Sequence, residues 1–148
     1  MHVLPRHTAR GIVLKDDQIL LIERWRPGKH YFSIPGGGIE LGESPEQAVL
    51  RELLEETACQ VRLERKLYEY HTENDALHHI YLCEHVSGVP FLPPDSPEAL
   101  ANDPDNRFRP GWLPLAELDH TSFNVWRPVI SRLCEDLRGG FADEVVRL

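Results

Sequence analysis

The sequence predicts a mixed α/β (α+β) fold in one domain spanning residues 1–148. Three observations point to it. Short aliphatic runs separated by turn residues fill the first quarter of the chain. A strongly capped helix follows a glycine-rich turn, and a second helix of regular apolar period lies near the C-terminus. With 148 residues, 41% hydrophobic and 27% charged, the chain has the size and composition of one globular domain.

Residues 8–24 read as two strands. Ile12, Val13 and Leu14 precede the turn pair Asp16-Asp17, and Ile19 to Ile22 follow it. Continuous aliphatic runs of this kind suit strands buried on both faces. Residues 25–33, WRPGKHYFS, read as a polar loop with Arg24, Arg26 and Lys29 in or beside it. These cations are candidates to meet anionic groups, because the loop leads into the glycines Gly36, Gly37 and Gly38, where main chain and ligand can approach closely. Phe32, just before that turn, is expected to pack beneath it.

Ser44, Pro45 and Gln47 then mark a helix start, as N-cap, N1 and N3 of a capping box. The helix is predicted over 45–57, with Val49, Leu50, Leu53, Leu54 and Thr57 on the face turned to the sheet. Glu52, Glu55 and Glu56 fall together in an arc beside that face, at spacings that let their carboxylates converge. Like charges so placed destabilise an isolated helix, and more so near its C-terminal end. A metal site explains the arrangement; structure alone has no need of it.

Residues 61–73 and 78–86 read as two further strands, broken by Asn74-Asp75 and by Gly88-Val89-Pro90. His79 and His85 fall on one face of the second and His78 on the other, so they form no ready zinc set. Residues 91–110 read as a long, proline-rich loop, functional or mobile. A short strand around 111–113, one helical turn at PLAEL and a last helix over 124–137 follow. Val129, Ile130, Leu133 and Leu137 form the expected buried stripe of that helix, and Gly139-Gly140 ends it.

Charge and cysteine usage exclude several functions. A formal net charge of −8 argues against binding nucleic acid polymers or anionic membranes. Cys59, Cys83 and Cys134 are odd in number and make no C-x-x-C pair, so neither disulfides nor a zinc ribbon is indicated. No apolar run reaches the length of a signal peptide or a membrane span, and a cytoplasmic setting is expected. The oxygen-only ligands of the glutamate arc suit a hard cation, Mg²⁺ or Mn²⁺. Such a cation bridges carboxylates and phosphates and activates water, which favours metal-assisted hydrolysis of a phosphate anhydride.

Counting from Gly37, five residues lead to Glu43, and seven more lead to Arg51-Glu52-Leu53-Leu54-Glu55-Glu56. This spacing resembles the Nudix box, G-x5-E-x7-R-E-U-x-E-E-x-G-U with U a bulky aliphatic residue. Ala58 stands where the pattern has Gly, and Cys59 where it has the last aliphatic residue. The resemblance implies an α/β/α sandwich with a mixed sheet and a hydrolase of nucleoside diphosphates linked to another moiety. It implies Glu52, Glu55 and Glu56 as metal ligands, with the Gly36 carbonyl a further one and Glu52 also orienting or deprotonating water. Arg51 and Glu43 would form a salt bridge steadying the loop–helix junction. Substrate contacts would come from Arg24, Arg26, Lys29, Gly37, Gly38, Glu98 and Asn124. Trp126 or Phe108 are further candidates for a base, and Glu98, Asp95, Asp103 or Asp105 for an additional carboxylate base. If the box glycine is left-handed, Ala58 costs on the order of 1 kcal/mol there.

The proline or tyrosine that marks some family subgroups past the box has no counterpart at Asn74, Asp75 and Ala76. The expectation is therefore a MutT-like (deoxy)nucleoside triphosphate pyrophosphohydrolase, releasing a monophosphate and pyrophosphate. Alternatives are an ADP-sugar or dinucleoside polyphosphate hydrolase and, outside enzymes, a nucleotide-sensing domain. The partner is a small-molecule nucleotide, and the protein a monomer or homodimer.

Overall fold

A computed structural model describes residues 6–92, 94 and 105–148. The chain runs β1 (Arg6–Lys15), β2 (Gln18–Arg26), β3 (Lys29–Ser33), β4 (Gly36–Gly38), α1 (Pro45–Thr57), β5 (Gln60–His71), β6 (Ala76–Ser87) and β7 (Arg107–Pro114). Two 3₁₀ turns follow, Leu115–His120 and Asn124–Trp126, then α2 (Arg127–Gly139) and β8 (Val146–Arg147). Among the described residues the strands form one eight-stranded sheet of order β3-β2-β1-β6-β5-β8, with β4 paired to β1 and β7 to β2. The β1–β6 and β5–β8 pairs are parallel and the others antiparallel, so the sheet is mixed.

Helices cover both faces, and the aliphatic runs divide between them. Ile19 and Leu21 point into the core under α2 with Val129, Ile130 and Leu133. Leu20 points the other way, into the core under α1 with Val49 and Leu53. Strands apolar at every position are thus explained: each face has a helix to bury against. Asp16 and Asp17 both take positive φ, 49° and 61°, in the two-residue connection that pairs Lys15 with Gln18. That is the conformation a tight hairpin turn requires, and Asp tolerates it.

Three expectations are corrected. Residues 25–33 are not a loop: β2 continues to Arg26, Pro27-Gly28 makes a tight turn with Gly28 at φ 69°, and β3 returns. Leu50 and Leu54 are 43% and 48% exposed; Ala48, Val49, Glu52, Leu53 and Thr57 are the buried set of α1. The final helix is α-helical only from Arg127, and its buried stripe closes on Asp136, with Leu137 turned outward. Asp136 tolerates burial because Tyr68 Oη donates to it at 2.6 Å and Arg132 Nε at 3.0 Å. Beyond α2, β8 adds to the sheet beside β5 at Tyr68 and Glu69. Phe32 joins the α2-side core, its ring 6.4 Å from that of Phe123.

Candidate active site

The site is built where the glycine strand β4 meets the C-terminal half of α1. Ser44 caps the helix as the sequence indicates: its side chain accepts from Gln47 N, and the Gln47 side chain accepts from Ser44 N. Two glycines permit the close approach. Gly36 pairs with Arg10 of β1 at φ 146°, and a Cβ there would lie 2.2 Å from the Ala9 carbonyl oxygen. A Cβ on Gly37 would lie 2.7 Å from the Glu52 carboxyl. The buried Glu52 carboxylate therefore rests directly on the glycine strand.

Arg51 organises the acidic edge. Its Nε and Nη2 donate to the two Glu43 oxygens at 2.7 and 2.9 Å, a bidentate pair across the loop–helix junction. Its Nη1 donates to Glu52 at 2.9 Å and to Glu55 at 3.3 Å, and Nη2 to the Gly38 carbonyl at 3.1 Å. The Arg51 hydrogen bonds, with the Glu40 amide behind them, hold the Glu43 carboxyl down at about 2. The same pairing raises Arg51. Glu56 is turned inward, accepting from the Gly36 amide at 3.2 Å.

Glu52, Glu55 and Glu56 thus share one edge, the first two sharing Arg51 Nη1 as donor and Glu56 held by the Gly36 amide. Among the described residues no three His, Cys, Asp or Glu side chains form a ready metal cage. The donor set nonetheless fits a hard cation. It consists only of oxygens, the Gly36 main chain stands beside Glu56, and Mg²⁺ commonly takes one or two carboxylates and completes its shell with water and phosphate.

Of the proposed substrate contacts, Arg24 is half-buried in β2. It donates to Asn106 at 3.1 Å, and its guanidinium carbon lies 3.6 Å from the centre of the Phe108 ring. Burial lowers its pKa, partly offset by charges that include Glu56. Arg26 and Lys29 face each other at the exposed hairpin tip. Lys29 and Asn124, the latter at φ 55°, border one shallow pocket. Gly38 is exposed and its carbonyl is taken by Arg51. Asp105 is exposed, whereas Asp95, Glu98 and Asp103 lie outside the described residues.

A cleft of about 840 Å³ opens on the α2 side of the sheet, lined by Arg6, Arg10, Arg26, Tyr31, His78 and Trp126 among others. Its cations stand out in a chain of net charge −8. Arg10, which sequence reasoning missed, links the cleft to the acidic edge. Its Nη1 reaches the Ile34 and Gly36 carbonyls at 3.0 and 3.4 Å, and its guanidinium carbon lies 4.6 Å from the Trp126 ring centre. Burial pulls Arg10 down to about 10 against the pull of Glu56 and Glu52, leaving it charged at neutral pH. The signal was present as an arginine set inside a strand of small and aliphatic residues. His78 meets Thr8 Oγ1 at 2.5 Å and the Trp126 ring edge-on, and burial first, then the Arg10 charge, lowers it to about 4. His79 faces the other way, bonded to His7 and Lys66 at 2.8 Å each. His85 donates to the Gly88 carbonyl.

The NUDIX domain profile matches residues 5–134. The ADP-ribose pyrophosphatase of Methanocaldococcus jannaschii is 32% identical over 126 residues, 81% of this chain and 71% of that protein. The 8-oxo-dGTP diphosphatase of Escherichia coli (strain K12) is 34% identical over 134 residues, 84% of this chain and 93% of that protein. A NUDIX hydrolase from Nitrosomonas europaea superposes with a TM-score of 0.69 at 27% identity, covering 93% of this chain and 90% of that one.

Proposed function

The chain belongs to the Nudix hydrolase family, whose members act on nucleotide-type anhydrides, and from that premise we propose that it is a (deoxy)nucleoside triphosphate pyrophosphohydrolase. The observation that supports this reading is the cleft itself. It sets Arg6, Arg10 and Arg26 beside Tyr31, Tyr70 and Trp126, a lining that suits a stacked base and the phosphates attached to it. Similarity along nearly the whole E. coli 8-oxo-dGTP diphosphatase favours the same substrate class.

Glu52, Glu55, Glu56 and the Gly36 carbonyl would hold Mg²⁺ or Mn²⁺. When bound, the cation neutralises phosphate charge and makes a coordinated water more acidic. Glu52 is the residue we assign as base, accepting a proton from the attacking water. Its carboxylate is fixed between Gly37 and Arg51 Nη1, so its orientation does not depend on solvent. Water adds to phosphorus, the anhydride bridge oxygen departs, and nucleoside monophosphate and pyrophosphate are the products. Arg51 serves as a brace, tying Glu43, Glu52 and the Gly38 carbonyl into one unit.

Similarity to the M. jannaschii ADP-ribose pyrophosphatase supports a second reading, hydrolysis of an ADP-sugar. A panel of nucleoside triphosphates, ADP-ribose and dinucleoside polyphosphates incubated with Mg²⁺ separates the two. Pyrophosphate release from triphosphates is expected; AMP release from ADP-ribose alone would favour the second. Tight nucleotide binding without turnover of any of them would refute both.

A further inference from the structure

Arg10 stands between the two halves of the site. Its backbone is the β1 partner of Gly36, and its side chain returns to the Gly36 and Ile34 carbonyls. On the cleft side the same guanidinium lies against Trp126. Nε is cut off from solvent and, among the described residues, has no hydrogen-bond partner. Buried polar atoms in folded proteins nearly always have partners, so an orphan N–H on a charged group marks an arrangement held by its surroundings rather than a relaxed one. A residue kept only to fill space would not carry a guanidinium here. The Gly36 main chain that Arg10 holds is also the group that orients Glu56, through the amide at 3.2 Å.

We propose that Arg10 is a positioning residue that couples occupation of the aromatic cleft to the Gly36–Glu56 edge, so that nucleoside and divalent cation bind cooperatively. The proposal rests on the reading that a nucleotide base lies in the cleft. A base settling against Trp126 presses on the guanidinium stacked there. A planar guanidinium whose Nη1 bridges the Ile34 and Gly36 carbonyls cannot shift without moving the Gly36 carbonyl or releasing it. Two arrangements follow, one with Arg10 engaged on Gly36 and one with the carbonyl freed towards the carboxylates, and the occupant of the cleft biases the choice. Linkage then requires reciprocity: the cation tightens the nucleoside by the factor by which the nucleoside tightens the cation.

The test uses deoxyguanosine and adenosine, which carry no phosphate, so any coupling cannot arise from phosphate touching the metal. Mn²⁺ affinity is measured by electron paramagnetic resonance with and without saturating nucleoside, and nucleoside affinity by calorimetry with and without Mn²⁺. In the wild type each is expected to tighten the other by about fivefold or more, the lower range of ordinary allosteric coupling. Arg10→Lys keeps the charge but loses the planar guanidinium that spans Trp126 and the Gly36 carbonyl; it should bind each ligand singly, with the coupling factor near one. Trp126→Phe breaks the link from the other side and carries the test if the arginine variant does not fold. A merely structural Arg10 would lower the melting temperature and leave the ratio unchanged. Nucleoside binding without any change in Mn²⁺ affinity, or full coupling in both variants, would overturn the proposal and spare the substrate reading. Failure of both nucleosides to bind would overturn the cleft reading and the coupling with it.

Discussion

Glu52 and Glu56 sit one turn apart on α1 and meet different neighbours. Glu52 lies on Gly37 under the Nη1 of Arg51, whereas Glu56 reaches across to the Gly36 amide. Glu52→Gln should lower kcat by on the order of 10²–10⁴, the range a general base commands, and leave the far-ultraviolet dichroism unchanged. Glu56→Gln should also abolish turnover in a folded protein, and full activity there would refute the proposed role of Glu56 as a metal ligand. Ala58 is a different kind of residue-scale feature. It takes φ 62°, ψ 15° at the end of α1, with its amide bonded to the Leu54 carbonyl. The left-handed angle that the box pattern implies is therefore kept, and it is kept by a residue with a Cβ. Ala58→Gly should raise stability by up to about 1 kcal/mol in urea titration, since relieved strain exceeds the added freedom of the unfolded chain. A loss of stability would mean that the alanine methyl contributes packing that offsets the angle.

At the scale of elements, what could be read from the sequence followed from local rules, and what could not depended on distant partners. The cap of α1, the Asp16-Asp17 turn and the strands on either side of it rest on neighbours within a few residues, and they are where the sequence places them. Pro27-Gly28 also carried a local signal, but the cations around it suggested a solvated loop and obscured the hairpin. Leu50 and Leu54 show the limit of periodicity. An apolar arc indicates that a helix has a buried side; the sheet beneath α1 decides how wide that side is, and it extends to Ala48 and Glu52 instead. Asp136 is the clearest case, a carboxylate in the buried stripe of α2 whose partner Tyr68 is 68 residues away. Asp136→Ala should cost about 1–3 kcal/mol in chemical denaturation, because Tyr68, a residue only 1% exposed, loses the acceptor of its hydroxyl. Tyr68→Phe made in the same background should recover part of that loss. No recovery would mean that the Arg132–Asp136 pair, and not the tyrosine, holds the helix.

Across the whole molecule, charge is unevenly arranged. A chain of net charge −8 gathers Arg6, Arg10 and Arg26 around one cleft and leaves an acidic edge on the opposite side of Gly36. His78 is enclosed by this arrangement, and its neutral state is part of the fold. Burial is the main cause of its lowered pKa, about 4, and the charges of Arg10 and Arg6 add to it. An unfolded histidine titrates near 6.5. Below that value the unfolded chain takes up a proton that folded His78 refuses, so protonation favours unfolding. The stability that neutral His78 contributes is complete above pH ~6.5 and is lost progressively as pH falls towards about 4. His79 shifts in the same direction, again chiefly through burial, and adds to the slope. Glu43 acts lower: its folded value of about 2 confines its loss to more acidic solution, so the two contributions separate along the pH axis. Thermal melts from neutral pH down to pH ~4.5 should therefore show Tm falling steadily in the wild type. In His78→Gln, where Thr8 retains a polar partner and nothing at position 78 titrates, the fall over the same interval should be shallower. Parallel curves for the two proteins would show that His78 is protonated in the folded state, and that the cleft beside Trp126 is far more open to water than its lining indicates.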